Sequence, residues 1–144
     1  MSVGRICTRQ VDIADANETA QAAAQRMHAR KVGCLVVLNE ARQPVGIVTD
    51  RDLTVRVLAE GLDSVQTMLT EVMTRNPKTV HEEAPIEEAL RIMRCGAFRR
   101  LPVVDRSGKL AGLITVDDIL ELLTEEVREV GGVLAQETPR TLAR

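Results

Sequence analysis

The sequence contains very little aromatic material. Its 144 residues include no tryptophan, no tyrosine and a single phenylalanine, Phe98. Proteins that bind single-stranded nucleic acid stack successive bases on aromatic side chains. The net charge is only −2, from 19 basic and 21 acidic residues, so no strong field attracts a phosphate backbone. Both properties argue against a nucleic-acid-binding protein.

Long apolar runs and cysteine motifs are also missing. The longest clean apolar run is Cys34–Leu38, whereas a membrane helix needs about 20 residues. Residues 1–10 lack the apolar segment of a secretory signal. The three cysteines have no C-x-x-C spacing, so neither a disulfide framework nor a zinc site is indicated. These features favour a reducing cytoplasm as the location.

A repeat with a spacing of 66 residues organises the chain. Gly46–Leu53 is similar to Gly112–Ile119, and the match extends without a gap back to Ile6 and Val72. The identical pairs are Thr8/Thr74, Arg9/Arg75, Ala23/Ala89, Met27/Met93, Leu35/Leu101, Val37/Val103, Gly46/Gly112, Thr49/Thr115 and Asp52/Asp118. Apolar positions between them also keep their class. The chain therefore contains a duplicated unit.

Hydrophobic spacing predicts the order β-α-β-β-α within each unit. In the second unit a short strand at 79–80 precedes a helix that follows Pro85, buries 86, 89, 90 and 93, and ends near Gly96. Strands at 101–104 and 110–115 and a helix from about 117 complete that unit. The first unit repeats this with a helix at 20–27, strands at 34–38 and 45–49, and a helix to about 60.

One such unit buries too little surface to be stable alone. We therefore expect a mixed α/β fold in which two repeats pack through their sheets with pseudo-two-fold symmetry. The predicted bounds are 5–61 and 72–124 for the repeats and 62–71 for a connector. Residues 125–144 are expected to hold the end of the last helix and a tail, mobile from Gly131 onward.

The motif Gly-x-x-Thr-x-x-Asp occurs in both units at a strand-to-helix junction, with Thr49 and Asp52 in the first and Thr115 and Asp118 in the second. Thr followed three residues later by an acidic residue is typical of a capping box, which stabilises a helix start. A helix N-terminus also attracts phosphate, and a nearby carboxylate can accept hydrogen bonds from a ribose. The spacing allows both interpretations, since the same residues can cap a helix and touch a ligand.

Two β-α-β-β-α units with this motif resemble a tandem pair of CBS (cystathionine beta-synthase) domains, or Bateman module, of the stand-alone bacterial type. Val72–Val80, Arg99–Asp105 and the duplicated motif carry the resemblance, which covers residues 5–123. It implies a regulatory module, not an enzyme. The module would bind AMP, ADP, ATP or an adenosyl compound such as S-adenosylmethionine between its repeats, would need no other cofactor, and would signal by conformational change to an unknown partner.

The resemblance also implies roles for individual residues. Asp52 and Asp118 would hold ribose hydroxyls, and Thr49 and Thr115 would contact ribose or phosphate. The backbone at Thr79–Val80 and at 13–14 would line the adenine, and basic residues at the cleft mouth would meet phosphates. The resemblance further implies a homodimer formed through the helix faces of Leu53, Val57 and Leu58 and of Ile119, Leu122 and Leu123.

The two halves differ in charge. Arg51 separates Thr49 from Asp52, whereas Asp117 occupies the equivalent position of the second motif. Arg99 and Arg100 precede a strand of the second unit, where the first unit has 33–34, Gly-Cys. One cleft is therefore expected to bind phosphate better than the other.

Two other functions compete with ligand sensing. An enzyme could use Asp52 and Asp118 as general bases, although the sequence contains no P-loop and no G-x-S-x-G motif. A scaffolding unit with vestigial clefts would explain the difference between the repeats. Turnover of a bound nucleotide would identify the enzyme, and an absent nucleotide response would favour the scaffold.

Overall fold

Two β-sheets flanked by helices form the framework of the protein in the computed structural model, which describes residues 1–142. One sheet has the strand order β1-β2-β3-β4 and the other the order β5-β6-β7. The strands are β1 (Ile13–Asp15), β2 (Cys34–Leu38), β3 (Pro44–Thr49), β4 (Thr74–Arg75), β5 (Val80–His81), β6 (Arg100–Val104) and β7 (Leu110–Thr115). The helices are α1 (Val3–Ile6), α2 (Ala20–Arg30), α3 (Asp50–Leu53), α4 (Leu69–Val72), α5 (Ile86–Gly96) and α6 (Val116–Leu142), and a π-helical segment, Thr54–Leu58, extends α3.

The spacing of 66 residues recurs in the structure. It separates α1 from α4, α2 from α5, β2 from β6 and β3 from β7 at both ends of each element. In each unit the first strand runs parallel to the second, and the second pairs with the third in antiparallel fashion. The predicted mixed α/β fold with two equivalent units is confirmed.

Each unit borrows its N-terminal segment from the other. Strand β4 precedes the second unit in sequence, yet it pairs with β3 of the first, joining Thr74 to Ile47. Reciprocally, Thr8 exchanges two backbone hydrogen bonds of 2.9 Å with Leu113 of the second unit. The two units are therefore interlocked rather than joined end to end.

The short helices follow the same exchange. Val3 of α1 is fully buried in the core of the second unit, and Leu69 of α4 is fully buried in the core of the first. The segment 62–71, predicted to be a connector, thus contributes its last residues to the hydrophobic core of the first unit. Sequence similarity at 66-residue spacing cannot reveal this exchange, because the same repeat pattern fits a swapped and an unswapped arrangement.

The cores lie between helix and sheet in each unit. Ala20, Ala23 and Met27 on α2 and their equivalents on α5 are buried, as their helical spacing predicts. Leu90, which was also expected in the core, is 36% exposed. On the opposite face of β2, Val36 is fully buried too, as expected for sheets covered on both sides.

The ends of two helices differ from the sequence expectation. Gly96 is the last residue of α5, and Ala97 takes the left-handed conformation after it, with φ at +56°. Helix α6 continues through Gly131 and Gly132 to Leu142, so its expected end before Gly131 is wrong. The mobility expected for this segment stays a prediction, and residues 143–144 lie outside the described range. No helix within residues 1–142 is long and apolar enough to cross a membrane.

The borrowed segments explain the two motif glycines and give a stability prediction. A Cβ atom on Gly112 would lie 2.8 Å from the Thr8 carbonyl oxygen, whereas on Gly46 its nearest neighbour is the flexible side chain of Met73. Overpacking of this kind costs about 1–3 kcal/mol, and moving backbone is harder than moving a thioether. We expect Gly112→Ala to lower the unfolding midpoint by several degrees and Gly46→Ala to lower it less. Equal midpoints in thermal unfolding would contradict this explanation.

Candidate functional site

The Gly-x-x-Thr-x-x-Asp motif forms a capping box in both units. The Asp52 amide donates to Thr49 Oγ1 over 3.1 Å, and the Thr49 amide donates to Asp52 Oδ2 over 2.9 Å. Thr115 and Asp118 repeat the two bonds at the same distances. The structural interpretation of the motif is therefore confirmed, and each carboxylate keeps its Oδ1 outside the box.

A cleft of about 570 Å³ opens in front of the first capping box. This volume lies within the range of about 300–1,000 Å³ that is usual for small-molecule sites. The cleft is lined by Ile47, Thr49, Asp50, Arg51, Asp52, Thr74, Arg75, Asn76, Pro77, Lys78, Ala97, Phe98, Arg99, Arg100 and Leu101. Residues from both units therefore form its walls.

Three segments bring these side chains together. The β3–α3 junction supplies the capping box, and the turn after α5 supplies residues 97–100. The third wall is the segment 74–78, which reaches the first unit because β4 pairs with β3. Asn76 bends this segment with φ at +48° and donates its amide to the Val45 carbonyl. The exchange between units thus builds the site as well as the cores.

Positive charge dominates this first cleft. Five cationic side chains line it, against the two carboxylates of Asp50 and Asp52. Arg56 lies 3.6 Å from Asp52 Oδ1 and adds another cation behind the carboxylate. Within residues 1–142, the Arg51 guanidinium makes no ion pair. A cation in the first turn of a helix is disfavoured by the helix dipole, so this arrangement suits an anionic ligand.

Cys34 lies deep in the same region, at the start of β2. Burial raises the pKa of its thiol, and the neighbouring Arg100 guanidinium partly opposes that effect. Cys34 and Arg100 occupy equivalent positions of the two repeats, so these side chains meet near the pseudo-symmetry axis. The thiol is neutral at physiological pH and leaves the charge of Arg100 available.

The equivalent region around Asp118 has the opposite charge. Four cations of the first cleft are replaced at the 66-residue spacing, namely Arg51 by Asp117, Lys78 by Asp12, Arg99 by Gly33 and Arg100 by Cys34. Arg9, the equivalent of Arg75, donates to the carbonyls of Gly4 and Ala111. The depression beside Asp118 measures about 190 Å³ and includes Glu121 and Glu125. A polyphosphate fits the first cleft much better than the second.

The structure gathers part of the predicted site. Thr49, Arg51, Asp52, Arg99 and Arg100 line the first cleft together, whereas Thr115 and Asp118 lie at the second junction. Thr79 and Val80 are not among the lining residues of the first cleft, and Val80 is buried in β5 opposite Val103.

Sequence reasoning missed Arg75, Lys78 and Phe98, which also line the first cleft. Arg75 and Lys78 lie in the stretch Val72–Val80 that resembles the family pattern, but that stretch was assigned to the opening of the second repeat. Their role as a wall of the first cleft depends on the exchange. Phe98 is the only aromatic residue of the chain, which was a signal that could have marked it.

Comparisons with known proteins agree with this architecture. The CBS domain family model matches twice, over residues 3–59 and 69–125. The protein MK0525 of Methanopyrus kandleri is 36% identical over 122 residues, which are 85% of this chain and 62% of that protein. The Arabidopsis thaliana protein CBSCBSPB3 is 39% identical over 115 residues, 78% of this chain and 21% of that protein. The chain thus spans less than two thirds of either relative.

A solved structure shows the same fold with ligands. The CBS domain pair of protein MJ0100, in complex with 5′-methylthioadenosine and S-adenosyl-L-methionine, superposes with a TM-score of 0.77 at 27% identity and covers 88% of this chain and 98% of its own. The duplicated motif, the two equivalent units and the double match of the family model lead to one conclusion: this chain belongs to the CBS domain family and contains a tandem pair of such domains.

Proposed function

We propose that this chain is a regulatory module that binds an adenosyl ligand with a phosphate group in the first cleft. The observation that carries the proposal is the set of five cations around the Thr49–Asp52 capping box. Asp52 would accept the ribose hydroxyls, and Thr49 would contact ribose or phosphate. Arg51, Arg99 and Arg100 would meet the phosphates of AMP, ADP or ATP through charge-assisted hydrogen bonds.

The position of the cleft supports signalling by conformational change. Its walls come from the first unit at Thr49 and Asp52 and from the second unit at 97–101. A ligand that touches both walls favours one relative orientation of the units. Binding can shift such an equilibrium only if the ligand prefers one arrangement, and a ligand spanning two units meets that condition. A protein partner would read the resulting orientation.

CBS-domain pairs are generally regulatory modules, and the match indicates no enzyme family. Within residues 1–142, no group of three His, Cys, Asp or Glu side chains could hold a metal ion. We propose a homodimer and a cytoplasmic location, as expected from the sequence. Of the predicted dimer faces, Val57 and Ile119 are buried in the cores, whereas Leu58 and Leu123 are exposed.

The second cleft gives the alternative function its one supporting observation. Asp117, Asp118, Glu121 and Glu125 make that region acidic, so it has lost the features that attract phosphate. If the first cleft were equally inactive, the pair would be a scaffold that binds a protein partner without a nucleotide. A scaffold would show no response to any adenosyl compound.

Thermal unfolding of the purified chain with a panel of ligands tests the proposal. The panel contains AMP, ADP, ATP, S-adenosylmethionine, 5′-methylthioadenosine and NADH. At a ligand concentration of about 100 times the dissociation constant, binding adds about 2.7 kcal/mol to the free energy of unfolding. We expect the midpoint to rise by several degrees with at least one phosphorylated adenosyl ligand. No shift with any member of the panel would favour the scaffold.

A further inference from the structure

The distal part of α6 has an apolar face that no other part of residues 1–142 covers. Leu120, Leu123, Val127 and Val130 are 54%, 47%, 71% and 59% exposed. Upstream of them, Ile119 is packed in the core of the second unit. The helix thus begins as a core element and continues into solvent with its apolar side chains unused.

The spacing of these side chains is that of a coiled coil. Leu120, Leu123, Val127, Val130 and Leu134 are separated by 3, 4, 3 and 4 residues. A hydrophobic repeat of alternating three and four residues forms a narrow seam on a helix, and two such seams interdigitate when helices supercoil. A helix that packs on the body of its own domain needs a broader apolar face. We call the stretch 120–134 the seam helix.

The seam helix also contains residues that weaken a helix without tertiary contacts. Gly131 and Gly132 lie in its second half, and no atom lies within 4 Å of the place where a Cβ on either would stand. Glycine is among the least favourable residues in a helix interior. Most of the stability of a protein helix comes from packing of its amphipathic face, so a helix with two exposed glycines requires a partner.

The positions that flank the seam favour a second copy of the same chain. They hold Thr124, Glu126, Gly131 and Val133. In a parallel pair Glu126 faces Gly131 of the second copy, and in an antiparallel pair it faces Val133. Neither orientation places like charges opposite each other, and the seam itself is entirely apolar. Self-association therefore meets no electrostatic penalty at the positions that select coiled-coil partners.

We propose that the seam helix pairs with the seam helix of a second copy to form a two-stranded coiled coil that holds a homodimer together. This surface differs from the helix faces around Leu58 that the family resemblance implies. The pairing depends on α6 alone, so it stands or falls independently of ligand binding in the first cleft.

Light scattering after size exclusion, over a wide range of protein concentration, tests the pairing in the full chain. We expect twice the mass of one chain for the unmodified protein. The double variant Val127→Glu, Val130→Glu should weaken dimerisation by about a hundredfold or more, because unpaired charges would be buried in the seam. Both side chains are exposed in the single chain, so unfolding of the two CBS units should be unchanged.

Arg128→Glu is the matched control. It lies between the two seam positions on the outer face of α6, and it changes the net charge by the same amount as the double variant. It should remain dimeric. A monomeric unmodified protein would overturn the proposal. So would a dimer that survives the double variant and is lost in Leu58→Glu, since that result would place the interface on the faces around Leu58.

Discussion

Asp52→Ala is expected to abolish the stabilisation of the protein by its nucleotide, whereas Asp118→Ala is expected to leave it intact. Asp52 lies in the cationic first cleft with its Oδ1 outside the capping box. Asp118 lies in an acidic region, where a phosphate would be repelled. With ligand at about 100 times the dissociation constant, the gain of about 2.7 kcal/mol should vanish in the first variant and persist in the second.

The duplication supplies the control for this experiment. Both substitutions remove an equivalent capping box, and the loss of a cap costs about 1 kcal/mol in each case. The midpoints without ligand should therefore fall by similar amounts, and only the response to ligand should differ. If Asp118→Ala abolished the response and Asp52→Ala did not, the site would lie in the second cleft and the charge argument would be wrong.

Arg51→Ala is expected to weaken ATP binding by tenfold or more and to leave binding of 5′-methylthioadenosine unchanged. The Arg51 guanidinium lines the first cleft and makes no ion pair within residues 1–142. A hydrogen bond to a charged group contributes about 1.5–3 kcal/mol, and about 1.4 kcal/mol corresponds to tenfold in affinity. Methylthioadenosine carries no phosphate, so it has nothing for Arg51 to bind. Isothermal titration calorimetry with both ligands measures the difference.

The same variant distinguishes a binding role from a structural one. Since a cation in the first turn opposes the helix dipole, its removal should raise the stability of the ligand-free protein by a few tenths of a kcal/mol. A residue that merely held the fold together would lower it. Arg91→Ala, on an exposed part of α5, serves as the control and should change neither affinity. Equal losses for both ligands would show that Arg51 does not act through phosphate.

Local pattern was sufficient to predict the elements of this fold. Periodic apolar positions placed α2 and α5, and the strand Cys34–Leu38 was predicted at its observed bounds, because these signals depend on neighbours in sequence. The Thr-x-x-Asp spacing likewise predicted both capping boxes. Each of these features is settled by contacts within a few residues or by a single amphipathic face.

The composition of the site was harder to predict because it depends on contacts between units. Arg75 and Lys78 reach the first cleft only because β4 crosses to the other sheet, and no local signal specifies that crossing. The course of α6 was missed for a different reason. Gly131 and Gly132 are typical of a helix end, and their cost is compared with an apolar seam whose period becomes clear only over several turns.

The interlocked units also determine the order in which the chain can fold. Val3 emerges first during synthesis, yet the core that buries it belongs to the second unit, and Thr8 bonds to Leu113, among the last strand residues to be made. Contacts of such long sequence separation slow folding, because a large loop must close before they form. Neither repeat can complete its own sheet and core alone, so the pair unfolds as one cooperative body, and its N-terminus waits for nearly the whole chain before it is buried.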